Sequence, residues 1–265
     1  MINNSKIWIV SDVDGTLMDH FYDLTPAKET ITWLQSLRIP VILCTSKTKS
    51  EVRIIRDDLN LKDPYIVENG GAIYGEYSDG KEWEIILGKS YNILEQILNN
   101  LSKNINFKLR PLNTLSDDEA TNLTGLQGDS LNLMRDRHWS MPFLNPPDTF
   151  DEDLKRLCEI YDVDIFRGNR MSHLLSKNSN KGIAIKTLLN KDKNLNVQII
   201  GLGDSPNDLP LLMSSNYKII ISGIKGPNQS LINELKGNKF YISKKPHGYG
   251  WKDEVHKLVT KLLNK

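Results

Sequence analysis

Two short apolar runs limit the folds open to this chain: KIWIV at 6–10 and QIIGLG at 198–203. Neither has helical spacing, and each breaks off into carboxylates, DVDGT after the first and DSPND after the second. Runs of this kind read as strands covered on both faces, the condition of a parallel sheet sandwiched between helices. In such a sheet, side chains just beyond the carboxyl ends of the strands look into one crevice. Asp12, Asp14 and Asp204 are therefore expected to share a site although they lie far apart in the chain.

The intervening segments fit that reading. DLTPAKETITWLQSLRI predicts a helix with Thr25 as its N-cap, Pro26 at its first position and an apolar face of Ala27, Ile31, Leu34 and Leu37. PVILC predicts a strand, KSEVRIIRDDLNL a helix, YIV a strand, and AIYGEY with KEWEIIL a hairpin turning at 78–80. The last third repeats the grammar: helix NKGIAIKTLLN, strand QIIGLG, short helix PNDLPLLMSS, strand YKIIIS, and a closing helix with Val255, Leu258, Val259 and Leu262 on one face. Residues 88–175 differ in texture, with helices near 90–102 and 148–162, weak strand signals and loops rich in Asn, Asp and Pro. Ser116 and Glu119 there have capping-box spacing. The expected architecture is an α/β core with a Rossmann-like parallel sheet, formed by residues 1–87 and 176–265, with an α+β domain of residues 88–175 inserted into it.

Bulk properties exclude several classes of function. A formal net charge of +1 offers no electrostatic footing for nucleic acid or an anionic membrane surface. No apolar run approaches the ~20 residues of a membrane span, and IWIV is too short for a secretion signal. Two cysteines, Cys44 and Cys158, suggest no disulfide framework and point to a reducing cytoplasm. Nothing in the sequence fixes an oligomeric state.

Converging carboxylates repel and call for a cation, and hard oxygen donors in an incomplete cage suit Mg²⁺. Asp12 is then a candidate ligand and nucleophile, Asp14 a candidate proton donor and acceptor, and Thr45, at the end of PVILC, a hydroxyl facing the same crevice. Alone, D-x-D-G is also an ordinary turn, and an EF-hand loop would need a further oxygen ligand near Thr16 or Leu17. The phosphoryl-transfer reading rests on two such motifs, each after a buried strand.

DVDGTL, LCTSKT and GLGDSPNDLPLL together resemble the haloacid-dehalogenase superfamily of phosphotransferases. VENGGAIY, GNRMSHLL, SNKGIAIKTLL and HGYGW extend the resemblance to its phosphatases of mannosyl-3-phosphoglycerate and glucosyl-3-phosphoglycerate. The resemblance implies Asp12 as nucleophile, Asp14 as general acid/base with its carbonyl on the metal, Thr45 as the hydroxyl that holds the phosphate, and Lys181 as the lysine that neutralises the phosphate and the nucleophile. It implies metal binding by Asp12, Asp14, Asp204 and Asp208, with Asn207 in support, and an inserted cap of the C2B type that selects the substrate. The implied substrate is a small phosphorylated sugar-glycerate.

The cap contributes LMRDRHWSMPF and FRGNRMSHLL, with Arg135, Arg137, His138, Ser140, Arg167, Arg170 and His173. Arginine forks suit a carboxylate or phosphate, and Arg137 and Arg170 are the favoured pair. Ser46, Asn69, Arg137, Ser140, Arg170, His173 and Asn207 are thus the expected substrate contacts. Met141, in SMPF, stands where the family has a glutamate; read as a pocket residue, it tilts the expectation toward the glucosyl substrate. A broader sugar phosphatase, acting on sucrose phosphate or hexose phosphates, is the alternative. A phosphate-binding switch without turnover fits less well with Asp14, Lys181 and so large a cap.

Overall fold

The computed structural model describes residues 6–19, 21–168, 170–192 and 196–264. In chain order the elements are β1 (Ile7–Ser11), α1 (Thr25–Ser36), β2 (Val41–Leu43), α2 (Lys49–Asp58), β3 (Tyr65–Val67), β4 (Ala72–Glu76), β5 (Glu82–Ile86) and α3 (Tyr91–Asn104). There follow α4 (Asp117–Thr124), α5 (Asp129–Arg135), β6 (Met141–Leu144), α6 (Asp151–Tyr161), β7 (Val163–Arg167) and β8 (Met171–Ser176). The chain closes with α7 (Lys181–Asp192), β9 (Gln198–Gly203), α8 (Leu209–Met213), β10 (Tyr217–Ser222), α9 (Gln229–Glu234), β11 (Phe240–Pro246) and α10 (His247–Leu263).

Five parallel strands form the main sheet in the order β11-β10-β9-β1-β2. The two apolar runs are neighbours at its centre, with Ile9 opposite Ile200 and Ser11 opposite Leu202. Trp8 and Val10 pack on one face with Ala184, Ile185 and Leu188 of α7; Ile7 and Ile9 pack on the other with Ile31 and Leu34 of α1 and Val255 and Val259 of α10. Burial on both faces explains why these strands read as continuous apolar runs. A bridge from Cys44 to Ile66 leads from β2 to the antiparallel β3-β4-β5 ribbon, and Tyr77 and Lys81 close its turn.

Residues 141–176 carry a separate antiparallel sheet, in the order β6-β8-β7. Strand parity divides its two faces. Met141, Phe143 and Leu174 face α3 and α6, where Leu94, Leu98, Leu101, Leu154 and Leu157 complete a core. Met171 and His173 turn the other way, toward the crevice above the main sheet.

Three local expectations need correction. Thr25 is the first helical residue of α1 and not its cap; the Asp23 carboxylate instead accepts its backbone N–H at 2.9 Å. Leu37 is 39% exposed, because the helix ends at Ser36 and the chain reverses at Arg38 (φ 58°). The closing helix begins at His247, three residues ahead of the expected start. Ser116 and Glu119 form the expected capping box. Cys44 and Cys158 are buried free thiols, and no helix among the described residues is long and apolar enough to cross a membrane.

Candidate active site

β1 and β9 run side by side and end at the same level, so the turns after them meet. Gly15 has φ 77°, and a Cβ there would lie 2.6 Å from the Asp204 carboxylate; only glycine lets the two loops approach so closely. Gly203 is equally constrained, since a Cβ would meet Asp208 at 2.4 Å. Carboxylate oxygens of Asp12, Asp204 and Asp208 thereby come within 4.8 Å of one another.

Lys181, the first residue of α7, is 1% exposed and donates to Asp12 Oδ1 at 2.6 Å and to Asp208 Oδ1 at 2.5 Å. Burial opposes its charge, but the two carboxylates more than offset this and raise its pKa. The other Asp208 oxygen accepts the backbone N–H groups of Asp204 (3.0 Å) and Ser205 (3.1 Å), so this side chain braces the loop. Thr16 donates to Asp204 at 3.2 Å. Burial, with Asp208 nearby, pushes Asp12 up to about 7; burial, with Asp208 and Asp12 nearby, pushes Asp204 up to about 8. One ammonium does not neutralise three carboxylates. The donor set and the unbalanced charge fit a divalent cation.

Asp14 stands apart from this cluster. Its side chain is 45% exposed and lies 3.2 Å from Lys47 Nζ. Lys47 is buried, also reaches Glu51 at 3.3 Å, and is held protonated by Asp14 and Glu51 against the effect of burial. Thr45 is fully buried at the end of β2, where its hydroxyl accepts the Lys47 N–H at 3.2 Å. Asn207 donates to Asn69 Oδ1 at 3.1 Å on the Lys181 side of the cluster.

Above Asp14 opens a cavity of about 490 Å³. Its lower wall includes Asp14, Ser46 and Lys47; its upper wall includes Arg137, Arg170 and His173, with Thr124, Leu126 and Met134 between. Arg137 donates to Ser46 O at 2.8 Å, and Arg170 to Thr124 O at 2.6 Å. Burial first, and Arg137 second, hold His173 neutral, its pKa lowered to about 3.

Other predicted groups lie elsewhere. Ser140 is fully buried behind Arg137, and Thr45, Asn69 and Asn207 sit beside the carboxylate cluster rather than on the cavity wall. Arg135 is engaged by Asp117 at 2.5 Å, and Arg167 by Asp148 and Asp151. Met141 is fully buried against the cap helices, because strand parity turns it away from the crevice. It reads no sugar hydroxyl, and the tilt toward a glucosyl substrate loses its basis. Trp139 and His138 likewise serve the cap–core junction: Trp139 donates to the Tyr74 hydroxyl at 3.0 Å, and the His138 N–H to Glu68 at 2.9 Å.

Sequence reasoning missed Lys47, Tyr22 and Glu51 on the cavity wall, and Glu68 at the junction. Lys47 carried a signal, since its i,i+4 spacing to Glu51 fixes an ammonium two residues after Thr45. Glu51 carried one too, in its capping-box spacing to Thr48, whereas Tyr22 and Glu68 carried none.

Comparison with known proteins bears on this geometry. The haloacid dehalogenase-like hydrolase family matches residues 9–138 and 129–223. A glucosyl-3-phosphoglycerate/mannosyl-3-phosphoglycerate phosphatase of Persephonella marina is 28% identical over 96% of this chain and 97% of its own length. Among solved structures, a Streptococcus mutans protein superposes with a TM-score of 0.73 at 16% identity, covering 97% of this chain and 100% of its own. The sucrose-phosphatase of Synechocystis, solved with sucrose and phosphate, gives 0.64 at 17% identity over 95% and 97%.

Proposed function

The chain belongs to the haloacid dehalogenase-like hydrolases and is a phosphoric monoester hydrolase, and on that premise we propose that it removes the phosphate from glucosyl- or mannosyl-3-phosphoglycerate. One observation carries the reading: a single cavity has Asp14 on its floor and two cap guanidiniums, Arg137 and Arg170, opposite. A glycosyl-phosphoglycerate carries both a phosphate and a carboxylate on its short glycerate unit. Such a molecule spans a catalytic floor and a cationic roof at once.

Asp12 attacks phosphorus, forming an Asp12–phosphate bond as the ester P–O bond breaks. Asp14 gives its proton to the departing glycerate oxygen. Water then attacks the phosphoaspartate and loses a proton to Asp14, and inorganic phosphate leaves with Asp12 restored. Lys181 aims Asp12 and partly offsets the effect of its burial, and Thr45 and Ser46 hold the phosphate oxygens. Asp12 and Asp204, with Asp208 bracing the Asp204 loop, would hold a divalent ion such as Mg²⁺, which would supply positive charge for the phosphoryl oxygens. Asn69 and Asn207 support that end, while Arg137, Arg170 and His173 select what stands beyond it. Residues 1–87 and 176–265 act as the catalytic core and 88–175 as a cap that closes over the phosphate and excludes water. The buried free thiols suit a cytoplasmic enzyme.

A substrate panel tests this. With Mg²⁺, kcat/KM for the two glycosyl-3-phosphoglycerates is expected to exceed that for glucose 6-phosphate and sucrose phosphate by about 100-fold, because those sugars leave the cap guanidiniums without a carboxylate to pair. Comparable efficiency on the sugar phosphates would overturn the assignment and favour a general sugar phosphatase.

A further inference from the structure

Glu68 is a buried charge with no part in the chemical steps. It is 1% exposed, and its backbone is left-handed at φ 49°, followed by Asn69 at 57° and Gly70 at 98°. A residue with a Cβ is strained at such a φ and persists only where its surroundings enforce it. Glycine would suit the backbone better, so the carboxylate has to contribute something that glycine lacks.

Its contacts show what. Oε1 accepts the His138 N–H at 2.9 Å; Oε2 accepts the Trp139 N–H at 3.1 Å and the Ser140 hydroxyl at 2.6 Å. These three successive donors form the segment that leads from α5 into β6. The Ser140 oxygen accepts from Arg137 Nη1 at 3.1 Å, and the same nitrogen donates to Ser46 O at 2.8 Å. On the core side, the Glu68 N–H donates to Lys47 O and the Asn69 N–H to Thr45 O, each at 2.9 Å. The circuit is closed: the Thr45–Lys47 loop, Glu68, Ser140 and Arg137 hold one another, and Arg137 and Ser46 both face the cavity.

We propose that Glu68 is a positioning residue for substrate recognition: it ties the cap segment 138–140 to the Thr45–Lys47 loop and so sets where the Arg137 guanidinium stands over the cavity. The inference rests on the cavity being the substrate site. A merely structural role would stabilise the junction without favouring one substrate over another.

The test is steady-state kinetics of Glu68→Gln on glucosyl-3-phosphoglycerate and on p-nitrophenyl phosphate, with thermal melts alongside. The glutamine keeps the size but sets an N–H against at least one of the three donors. KM for the glycosyl substrate is expected to rise about tenfold while kcat/KM for the aryl phosphate changes by less than about threefold. Ser140→Ala leaves Glu68 its two backbone donors but cuts the link to Arg137, and is expected to raise the same KM even if Glu68→Gln folds poorly. Adding Glu68→Gln to Arg137→Ala should bring little further loss, because both act through one contact. Equal losses on the two substrates, an unchanged KM or additive effects in the double variant would each overturn the proposal. If the wild type shows no preference for the glycosyl substrate, the substrate reading has failed, and the double-variant cycle of Glu68→Gln and Arg137→Ala in the thermal melts then decides by itself whether Glu68 and Arg137 act through one contact: coupling upholds it, additivity ends it.

Discussion

The carboxylate cluster of the core and the guanidinium wall of the cap, which lines the cavity above Asp14, are built in opposite ways. In the core, Asp12, Asp208 and Lys181 are almost fully buried, and each is held by partners from distant parts of the chain. Arg170 in the cap is exposed and anchored by a single backbone carbonyl, while Arg137, though buried, has three contacts, two from its own neighbourhood and one from Ser46. Buried and mutually committed groups are preorganised, so they suit a transition state that never varies. Arg170, exposed between β7 and β8, can change with the substrate and leave the chemistry intact. Mutations in the two regions should therefore fail differently.

The largest effect is expected at the nucleophile. Asp12→Asn should lower kcat by about 10⁴-fold or more on every phosphomonoester, with an unchanged circular dichroism spectrum. Residual turnover near the wild-type level would break the assignment of Asp12. Next comes Lys181→Met, expected to lower kcat by about 10²–10³-fold. It also leaves Asp12 and Asp208 facing each other without their shared cation, and removing one partner of a buried ionic group costs about 3–5 kcal/mol. A variant as stable as the wild type would show that the charge is balanced in some other way.

Cap substitutions should give smaller and selective losses. Arg170→Ala is expected to raise KM about tenfold for a substrate bearing a carboxylate and to leave a small aryl phosphate nearly unaffected. Arg167→Ala, three residues earlier but engaged by Asp148 and Asp151 away from the cavity, serves as the control and should change neither. Equal losses from the two would erase the distinction between the cavity wall and the outer cap surface.

The smallest effect separates the regions by pH. Without a divalent ion, the folded-state pKa values of Asp12 and Asp204, about 7 and about 8, lie above the ordinary 3.8. The folded protein then holds protons that the unfolded chain has released, so the stability from these groups is complete below about pH 4 and is lost as pH rises through 8. A cation that replaces those protons should restore it. Mg²⁺ is expected to raise Tm by a few degrees near pH 8 and by much less near pH 5. Asp204→Asn should flatten that dependence, whereas Arg170→Ala should leave it intact. An equal Mg²⁺ shift at both pH values would argue against a cation among these carboxylates.

The same contrast governs what could be read in the sequence. The core strands were legible because burial on both faces leaves an unbroken apolar run, and a carboxylate at the end of such a run has few structural uses. Arg167 and Arg170 look alike in sequence, yet one is engaged by two aspartates on the cap's outer side and the other lines the cavity. Met141 was misread for a related reason: in a short strand a shift of one residue exchanges the two faces, and no neighbouring residue announces which face is dry. Glu68 was illegible for another. Its importance lies in donors supplied by residues 138–140, and nothing in VENGG encodes that meeting.

The site's dependence on both ends of the chain has a consequence for its biogenesis. The loop that presents Asp12 is made well before β9, and β9 must pair with β1 before Asp204 can stand beside it. Helix α10 finishes the work: His247 approaches the Gly15 carbonyl at 2.8 Å, and the Trp251 indole donates to Ser11 at 2.9 Å. Contacts this distant in sequence form late and slowly. A chain still emerging from the ribosome has Asp12 without the Asp204 loop or the clasp behind it. Catalysis is thus withheld until α10 is in place, and turnover by a partly synthesised chain that lacks it would register a finished fold where none exists yet.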